Sequence, residues 1–382
     1  MRIYLDHNAT TPVALAVSDA VADTLRSCYG NASSIHFFGQ SAKAKLDSAR
    51  SDVAKLIGGN PSEIIFTSGG TEADNLAIRG VAEVAQHSRH QLIASAIEHE
   101  AVLNTFKTLE KHGWNTTLLP VDQHGLIDPS DLENELSNDT ALVSVMHANN
   151  EIGTIQPIQK LAQLTHRQGA LFHTDAVQSA GKIPINVQAL GVDLLSISAH
   201  KFNGPKGCGA LWVKRGARLK STITGGRQER NRRAGTENVP AIVGMGIAAQ
   251  NTLNALDSTT ERTGSLRDKL ELGILEGVPD TVVNGAPHCR ISNTTNISFA
   301  GIEAEALLIA LDLEGIAVST GSACSSGTLE PSHVLKAMGF GSRRIQNSIR
   351  FSLGSGTTNT EIDRVLTIIP TVVSKLRRLS RT

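Results

Sequence analysis

The stretch SISAHKFNGPKGCGAL, residues 196–211, decides how this sequence is interpreted. It begins as an apolar run of the kind that forms a buried strand, reaches His200 and Lys201, and continues into a loop rich in glycine and proline. Lysine is almost never buried unless it has a partner or a chemical role. A single lysine near a strand end is commonly a surface residue, so the neighbouring strand ends must decide what Lys201 does.

Short β-rich runs alternate with segments that carry apolar residues at helical spacing. The runs are residues 63–68, 91–96, 141–147, 170–176, 193–200 and 209–214. This alternation predicts an α/β fold with a mainly parallel sheet covered by helices on both faces. Ligands of such folds bind at the carboxyl ends of the strands. After about Asn251 the strands are shorter, which predicts a second, smaller α+β domain.

Composition excludes several classes of function. Lys+Arg and Asp+Glu both number 36 in 382 residues, so no overall charge attracts nucleic acid or an anionic membrane. Four widely spaced cysteines without a CxxC pair argue against a disulfide framework and a structural zinc site. The start, MRIYLDHNATTP, lacks the regions of a signal peptide, and no apolar run approaches the roughly 18 residues that span a bilayer. We therefore expect a cytoplasmic protein that binds neither membrane nor nucleic acid.

Polar residues follow several of the predicted strands. In TSGGTEADN, Gly70 lets the backbone approach a ligand, and Thr71 opens a helix whose free N–H groups favour an anion. In HTDAVQ, Asp175 and Gln178 are three residues apart. Taken alone, the first motif is more often a helix cap with a glycine turn, and Asp175 is more often a cap as well.

Together these strand ends have a more specific interpretation. Pyridoxal 5'-phosphate needs an amine for its aldehyde, an anion for its ring nitrogen, and N–H groups and hydroxyls for its phosphate. A lysine, a carboxylate and a glycine-rich helix start provide these groups at neighbouring strand ends. We therefore predict that Lys201 is the covalent anchor of this coenzyme.

At this point the sequence strongly resembles the cysteine desulfurases of the NifS/IscS type, which are fold type I, aspartate-aminotransferase-like pyridoxal-phosphate enzymes. The motifs that carry the resemblance span nearly the whole chain: YLDHNATTP, GNASSIH, FTSGGTEADN, EHEAV, HANNEIGT, HTDAVQ, SAHKFNGPKG, GGRQERNRRAGTEN, STGSACSSG and SIRFSLG. The resemblance implies a large coenzyme-binding domain, residues 15–255, with a central seven-stranded type of sheet. Residues 1–14 and 256–382 would form the small domain, which would carry the catalytic cysteine loop at about 318–332.

The resemblance also implies roles for individual residues. Lys201 would carry the coenzyme and move the α-proton of the substrate, and His99 would lie over the ring as an acid or base. Asp175 would pair with the ring nitrogen, and Gln178 would contact the ring hydroxyl. Further contacts would come from Gly70, Thr71, Ser198 and His200 at the phosphate, Asn149 near the ring and substrate, and Arg350 at the substrate carboxylate.

One implied contact crosses between subunits. Thr236 of AGTEN would reach the phosphate of the neighbouring subunit, which makes a homodimer part of the active site.

Arg350 also has an alternative interpretation that is more common for arginine, a surface charge at a strand end. Its planar guanidinium nevertheless suits a two-pronged pair with a carboxylate.

Cys324 distinguishes a desulfurase from the related aminotransferases. It lies in TGSACSSGT, where small polar residues and glycines predict a swinging segment, whereas Cys28, Cys208 and Cys289 are interpreted as buried and inert. The Cys324 thiolate would attack the sulfur of L-cysteine, leaving a persulfide and releasing L-alanine. The sulfur would pass to an acceptor protein, such as a scaffold for iron–sulfur cluster assembly, and Cys324 could transiently bind the cluster.

Other functions of the same fold stay open. A selenocysteine lyase or an aminotransferase would use the same coenzyme site, and production of sulfide and alanine without a keto acid would distinguish a desulfurase from both. A non-catalytic sulfur-transfer scaffold is the alternative from another class. The presence of Lys201, His99 and Cys324 together argues against it, and a visible absorption spectrum would decide.

Overall fold

The computed structural model describes residues 2–320 and 331–379 of the chain. Its strands are, in chain order, β1 (Ile3–Tyr4), β2 (Ile64–Thr67), β3 (Gln91–Ser95), β4 (Asn115–Leu119), β5 (Thr140–Ser144), β6 (Leu171–Asp175), β7 (Leu194–Ser198), β8 (Gly209–Val213), β9 (Thr281–Asn284), β10 (Thr294–Phe299), β11 (Ile316–Ala317) and β12 (Ser348–Ser352). Its helices are α1 (Leu15–Ser27), α2 (Phe37–Leu56), α3 (Gly70–Ala85), α4 (Glu100–Glu110), α5 (Pro129–Glu135), α6 (Ile158–Arg167), α7 (Val187–Leu190), α8 (Gln228–Asn231), α9 (Val239–Gly277), α10 (Ala304–Leu313), α11 (His333–Ala337), α12 (Ser342–Gln346) and α13 (Asn359–Leu379).

The largest sheet has seven strands in the order β2-β8-β7-β6-β5-β3-β4. Strand β8 runs antiparallel to both of its neighbours, and the other pairs are parallel. The prediction of an α/β fold with a mainly parallel sheet is therefore confirmed. The sequence pattern did not predict β4, because this edge strand buries only its last residue and lacks the continuous apolar run of a buried strand.

Helices cover both faces of this sheet, because successive side chains of each strand point to opposite sides. On β7, Leu195 and Ile197 belong to the apolar core that contains α2, α6 and the first half of α9. Leu194, which directly precedes Leu195, points to the opposite face and belongs to the core formed with α3 and α4. All five residues of β7, LLSIS, are buried, which explains why its sequence is apolar apart from two serines.

A second group of strands combines the two ends of the chain. Strand β1 pairs in parallel with β11, and β12, β10 and β9 form an antiparallel sheet in that order. A separate apolar core joins Ile3 to Phe299, Phe351 and residues of α13. Helix α9 contributes Met245 to the first core and Leu270 to this one, so it runs through the predicted boundary after residue 255. The division into residues 15–255 and the remainder stays a proposal.

The topology brings three strand ends to one edge of the large sheet. Asp175, the last residue of β6, is in register with Ser196 of β7. Strand β7 ends at Ser198 and continues into a short 3₁₀ turn, Ala199–Lys201. Strand β2 points the same way as β7 because both are antiparallel to β8, and α3 follows β2.

Among the helices of the described residues, none combines the length and the apolar character that a membrane crossing requires.

Candidate active site

Lys201 lies where β7 gives way to the loop, and its amine faces the start of the chain. The Nζ atom donates to the carbonyl oxygens of Asn8 at 2.5 Å and Ala9 at 2.9 Å. Burial and, to a smaller extent, the charge of Arg350 lower the pKa of Lys201 to about 8, and the carboxylates of Asp175 and Asp6 oppose that shift. A large fraction of the amine is therefore unprotonated near pH 8, as a nucleophile requires.

Asp175 is buried at the end of β6. Its carboxylate accepts the backbone N–H of Val177 at 2.8 Å. Burial raises the pKa of Asp175, and its interactions with His99, the N–H of Val177 and Lys201 oppose that rise. A buried carboxylate is stabilised by a cation that shares its site, so this group fits the protonated ring nitrogen of pyridoxal phosphate.

Two further buried carboxylates, neither of which the sequence pattern identified, interact electrostatically with Asp175. Burial raises the pKa of Glu98 to about 8, and Asp175 repels its charge, so Glu98 is mostly neutral at pH 7. It accepts the hydroxyl of Ser95 at 2.5 Å and the N–H of Met146 at 2.8 Å. Asp74, on α3, has a raised pKa for the same two reasons. Protonation of these groups would leave Asp175 as the anion closest to a bound ring.

The start of α3 forms a cradle with no room for a side chain at Gly70. A Cβ there would lie 2.7 Å from Cγ2 of Val177 and 3.6 Å from Cβ of Ser198. Thr71 is exposed in the first turn of this 16-residue helix, where free N–H groups favour an anion. The buried Ser198 thus lies beside the same helix start, as the predicted phosphate site requires.

His200 follows Ser198 directly and is half-buried. Burial lowers its pKa to about 4, and the charges of Lys201 and Lys206 act in the same direction. The ring is therefore neutral at pH 7, with Nδ1 3.2 Å from Oγ1 of Thr10. A neutral imidazole has a single N–H to donate, so His200 could donate only one hydrogen bond to a phosphate.

His99 caps the N-terminus of α4. Its Nδ1 accepts the backbone N–H of Ala101 at 3.1 Å, which places the proton of the neutral ring on Nε2. The side chain is exposed and, with Thr71, lines a cavity of about 340 Å³. Its electrostatic interaction with Asp175 lowers the pKa of that carboxyl. Its predicted stacking on a ring stays a proposal.

Gln178 belongs to a buried polar network under Lys201. Its Nε2 donates to the carbonyl oxygen of Asn8 at 2.9 Å, the same atom that accepts the Lys201 amine. Its Oε1 accepts the amine of Lys182 at 2.7 Å. Sequence reasoning missed Asn8 and Lys182, although both lie in motifs that it quoted or adjoined, HNATTP and HTDAVQSAGK.

Arg350 is buried on β12, so the alternative of a surface charge does not apply. Its Nη2 donates to the Asp6 carboxylate at 2.6 Å and its Nη1 to the Asn150 carbonyl at 3.0 Å. Within residues 2–320 and 331–379, its Nε has no hydrogen-bond partner. Its backbone also pairs with Ser319, five residues before Cys324. The guanidinium thus has one buried donor still to be satisfied.

Asn149 is fully buried, and its amide is engaged by the protein. Oδ1 accepts the backbone N–H groups of Glu151 and Ile152, and Nδ2 donates to the Ile97 carbonyl at 3.0 Å. It therefore holds the loop after β5 against the segment that leads to His99. Its predicted contact with ring and substrate stays a prediction.

Thr236 is exposed and follows a tightly anchored basic segment. The buried Glu229 accepts two hydrogen bonds from Arg50, at 2.6 and 2.8 Å, and one from the N–H of Phe66 on β2. Residues 229–231 have φ values of 42°, 57° and 63°, a left-handed backbone conformation that residues other than glycine rarely adopt. Such strain persists only where surrounding contacts fix it, so this segment has a defined shape beside the phosphate cradle.

Cys324 lies outside the described residues. Among the described cysteines, burial raises the pKa of Cys208 to about 12, which makes its thiol unreactive. Cys28 is half-buried. The prediction that Cys289 is buried was wrong: it is exposed, because it lies in the loop between β9 and β10 rather than in an element that packs on the core.

Comparison with known proteins agrees with this geometry. The family model described as aminotransferase class V matches residues 3–365. A protein named cysteine desulfurase IscS from Dictyoglomus turgidum is 49% identical over 378 residues, which cover 99% of this chain and 96% of that protein. A cysteine desulfurase from a Nostoc species is 50% identical, with coverage of 99% and 94%.

Solved structures are similar as well. A structure titled NifS-like protein has a TM-score of 0.93 and 39% identity, and covers 98% of this chain and 100% of its own. A structure titled SspA in complex with cysteine has a TM-score of 0.83 and 34% identity, with coverage of 94% and 100%.

Proposed function

The chain belongs to the cysteine desulfurases of the class V aminotransferase family, and we propose that it uses pyridoxal 5'-phosphate to take sulfur from L-cysteine, with L-alanine as the other product. The observation that carries this proposal is the meeting of three groups at one edge of the large sheet. They are the Lys201 amine, the buried Asp175 carboxylate and the helix start at Gly70, where no side chain fits.

The residues at this edge fit the coenzyme. When bound, it supplies an aldehyde that joins an amine and a protonated ring that takes up the electron pair of a breaking bond. Lys201 would hold it covalently, and Asp175 would keep the proton on the ring nitrogen. Ser198, His200 and the first turn of α3 would hold the phosphate.

Two residues would act on the substrate itself. Arg350 would bind the carboxylate of L-cysteine. Its buried Nε supports this role, because it has no hydrogen-bond partner among the described residues and a buried donor favours an acceptor. Asp6 holds the other edge of the guanidinium and so fixes its plane. The Lys201 amine, with a pKa near 8, is suited to take the proton from the substrate Cα and return it later.

The sulfur transfer balances without an outside oxidant. The thiolate of Cys324 would attack the sulfur of the substrate, so that a sulfur–sulfur bond forms while the bond from sulfur to Cβ breaks. The electron pair of that bond stays with carbon, which takes up a proton to become the methyl group of alanine. One cysteine and one enzyme thiol therefore give one alanine and one enzyme persulfide.

The test of this function is a stoichiometric assay. Purified protein with the coenzyme and a thiol reductant is expected to convert L-cysteine into equal amounts of sulfide and alanine, without any keto acid. Methylene-blue detection of sulfide and chromatography of alanine measure both products. A requirement for a keto acid would instead indicate an aminotransferase, and an absence of visible absorbance with added coenzyme would contradict the proposed site.

We further propose that the persulfide passes its sulfur to an acceptor protein of iron–sulfur cluster assembly. The resemblance of the cysteine motif STGSACSSG to the NifS/IscS branch supports this acceptor class. Capture of proteins on the persulfide-bearing enzyme, followed by mass spectrometry, tests it. Recovery of acceptors of another kind alone, such as tRNA-thiolating enzymes, would contradict the assignment.

A homodimer is supported by an exposed apolar patch between α1 and α2. Ile35 is 94% exposed, Phe37 80% and Tyr29 75%, and the rings of Tyr29 and Phe38 are in contact. Contiguous exposed apolar surface of this kind usually marks an interface. The family resemblance separately implies a homodimer, in which Thr236 would reach the phosphate of its neighbour.

Disruption of this patch should weaken the dimer. The wild type is expected to sediment at twice the 40.5 kDa of one chain, and Ile35→Asp should shift it toward one chain mass, because a buried aspartate would lack a partner. Sedimentation velocity over a dilution series measures this. Leu313→Asp is the matched control, since Leu313 is 83% exposed on α10, outside the patch. Equal sedimentation of both variants and wild type would contradict the assignment of the interface.

A further inference from the structure

Lys182, in the loop after β6, is a second lysine of the site and is buried. Its Nζ donates to Oε1 of Gln178 at 2.7 Å and to Oδ1 of Asn8 at 2.8 Å. Both acceptors are neutral amides, and no carboxylate forms an ion pair with Lys182 in the part of the chain that the structure describes. Lysine is rarely buried without such a partner, so this position requires another explanation.

The contact with Gln178 has a directional consequence. An amide has an oxygen that only accepts and a nitrogen that only donates, and the two orientations of the group have nearly the same shape. The lysine amine is a donor, so it selects the orientation with Oε1 toward Lys182. The Nε2 of Gln178 must then lie on the other side, where it donates to Asn8.

Asn8 connects the two lysines. Its Oδ1 accepts Lys182 at 2.8 Å and Asn293 at 3.1 Å, and its backbone carbonyl accepts Lys201 at 2.5 Å. The side chain of Asn8 also donates to the carbonyl of Asn150 and the hydroxyl of Thr294. A buried network in which every member is satisfied is rigid, so Lys182 helps to hold the carbonyl at which the Lys201 amine rests.

We propose that Lys182 is a positioning residue, which fixes the Gln178 amide with its donor toward the ring hydroxyl of the bound coenzyme and fixes the Asn8 carbonyl that receives Lys201. This inference rests on the proposed function, because it concerns the same coenzyme. It adds to that function a donor that does not touch the coenzyme and acts through two neutral amides.

The electrostatic surroundings agree with this role. Burial and the charges of Lys201 and Arg350 all lower the pKa of Lys182, and no anion among the described residues opposes that shift. His7 and His200 also face it, and its charge lowers the pKa of both. Hydrogen bonding to the two amides is thus the favourable interaction that the structure shows for its amine.

The test is a titration of the visible absorbance of the coenzyme-loaded protein without L-cysteine. In Lys182→Met we expect the pH midpoint of the colour change to rise by about 0.5–1 unit. Gln178 keeps its contact with the Asn8 carbonyl in this variant but loses the contact that holds its Oε1, so the donor to the ring hydroxyl is held less firmly and stabilises the deprotonated form less. Lys206→Met is the control for charge, because Lys206 is exposed and also interacts electrostatically with His200. Its midpoint should equal that of the wild type.

A double-mutant comparison separates positioning from a direct effect of charge. If Lys182 acts through Gln178, the shift in midpoint caused by Lys182→Met should be smaller in a Gln178→Ala background, because that background already lacks the amide through which Lys182 acts. A shift of equal size in both backgrounds would mean that Lys182 acts by its charge alone and would overturn the proposal. An unchanged midpoint in Lys182→Met would overturn it as well.

A conservative variant covers the case in which Lys182→Met fails to fold. Lys182 and Gly181 line a cavity of about 520 Å³, so the larger guanidinium of Lys182→Arg has room and keeps a donor toward Gln178. The midpoint of Lys182→Arg should lie closer to that of the wild type than the midpoint of Lys182→Ala does, and equal midpoints in the two variants would contradict the proposal. If the wild type itself takes up no coenzyme, the proposed function fails, independently of Lys182.

Discussion

Replacement of Lys201 by alanine should lower the production of sulfide by about 10⁴-fold or more, because one residue supplies both the covalent anchor and the proton transfer at Cα. The structure gives this amine the two properties that both roles require. It lies among Asn8, Ala9 and Asp175, and burial lowers its pKa to about 8. Reduction with borohydride followed by peptide mass spectrometry should find the coenzyme on Lys201 in the wild type and on no lysine in Lys201→Ala.

The pKa of Lys201 also predicts a pH dependence. Only the neutral amine attacks an aldehyde, so uptake of the coenzyme by the apoprotein should accelerate as the pH rises toward about 8 and then level off. Lys206→Met is the matched control, because Lys206 is exposed in the same loop and should leave both labelling and turnover unchanged. Labelling of another lysine in the wild type, or sulfide production by Lys201→Ala at the wild-type rate, would refute the assignment.

The parts of the fold that the sequence predicts best are the buried strands. Strand β6, LFHTD, ends in Asp175, and strand β7, LLSIS, is followed by His200 and Lys201, so both the strands and the chemical groups at their ends are visible in the sequence. The direction of β8 is not visible, because antiparallel and parallel neighbours bury the same residue types. Strand β4 is not predicted from the sequence because it is an exposed edge strand and therefore contains few buried apolar residues.

The site divides in a similar way. Residues that would touch the coenzyme lie in motifs at strand ends, so their residue types already suggest their chemistry. Lys182, Asn8 and Asp6 act on other protein groups, and their partners are far away in sequence: Asn8 contacts Lys182, 174 residues later, and Asp6 contacts Arg350, 344 residues later. Such pairings depend on the path of the whole chain, and no local spacing predicts them.

Replacement of Cys324 by serine should separate coenzyme binding from sulfur transfer. Serine has nearly the same size as cysteine, but its hydroxyl is a far weaker nucleophile toward sulfur at neutral pH. The variant should keep the visible absorbance of the wild type, because the residues proposed to hold the coenzyme, Lys201 and Asp175 among them, are unchanged. Sulfide production should fall by about 10³-fold or more, and mass spectrometry after addition of L-cysteine should find no persulfide.

The decisive control for this prediction is the exposed Cys289. Burial makes Cys208 unreactive by raising its pKa to about 12, but no such argument applies to an exposed thiol. Cys289→Ser should therefore be compared directly with Cys324→Ser, and we expect it to keep the wild-type rate. Persulfide found on Cys289, or sulfide lost in Cys289→Ser and retained in Cys324→Ser, would transfer the role of sulfur acceptor from the STGSACSSG motif to the loop between β9 and β10.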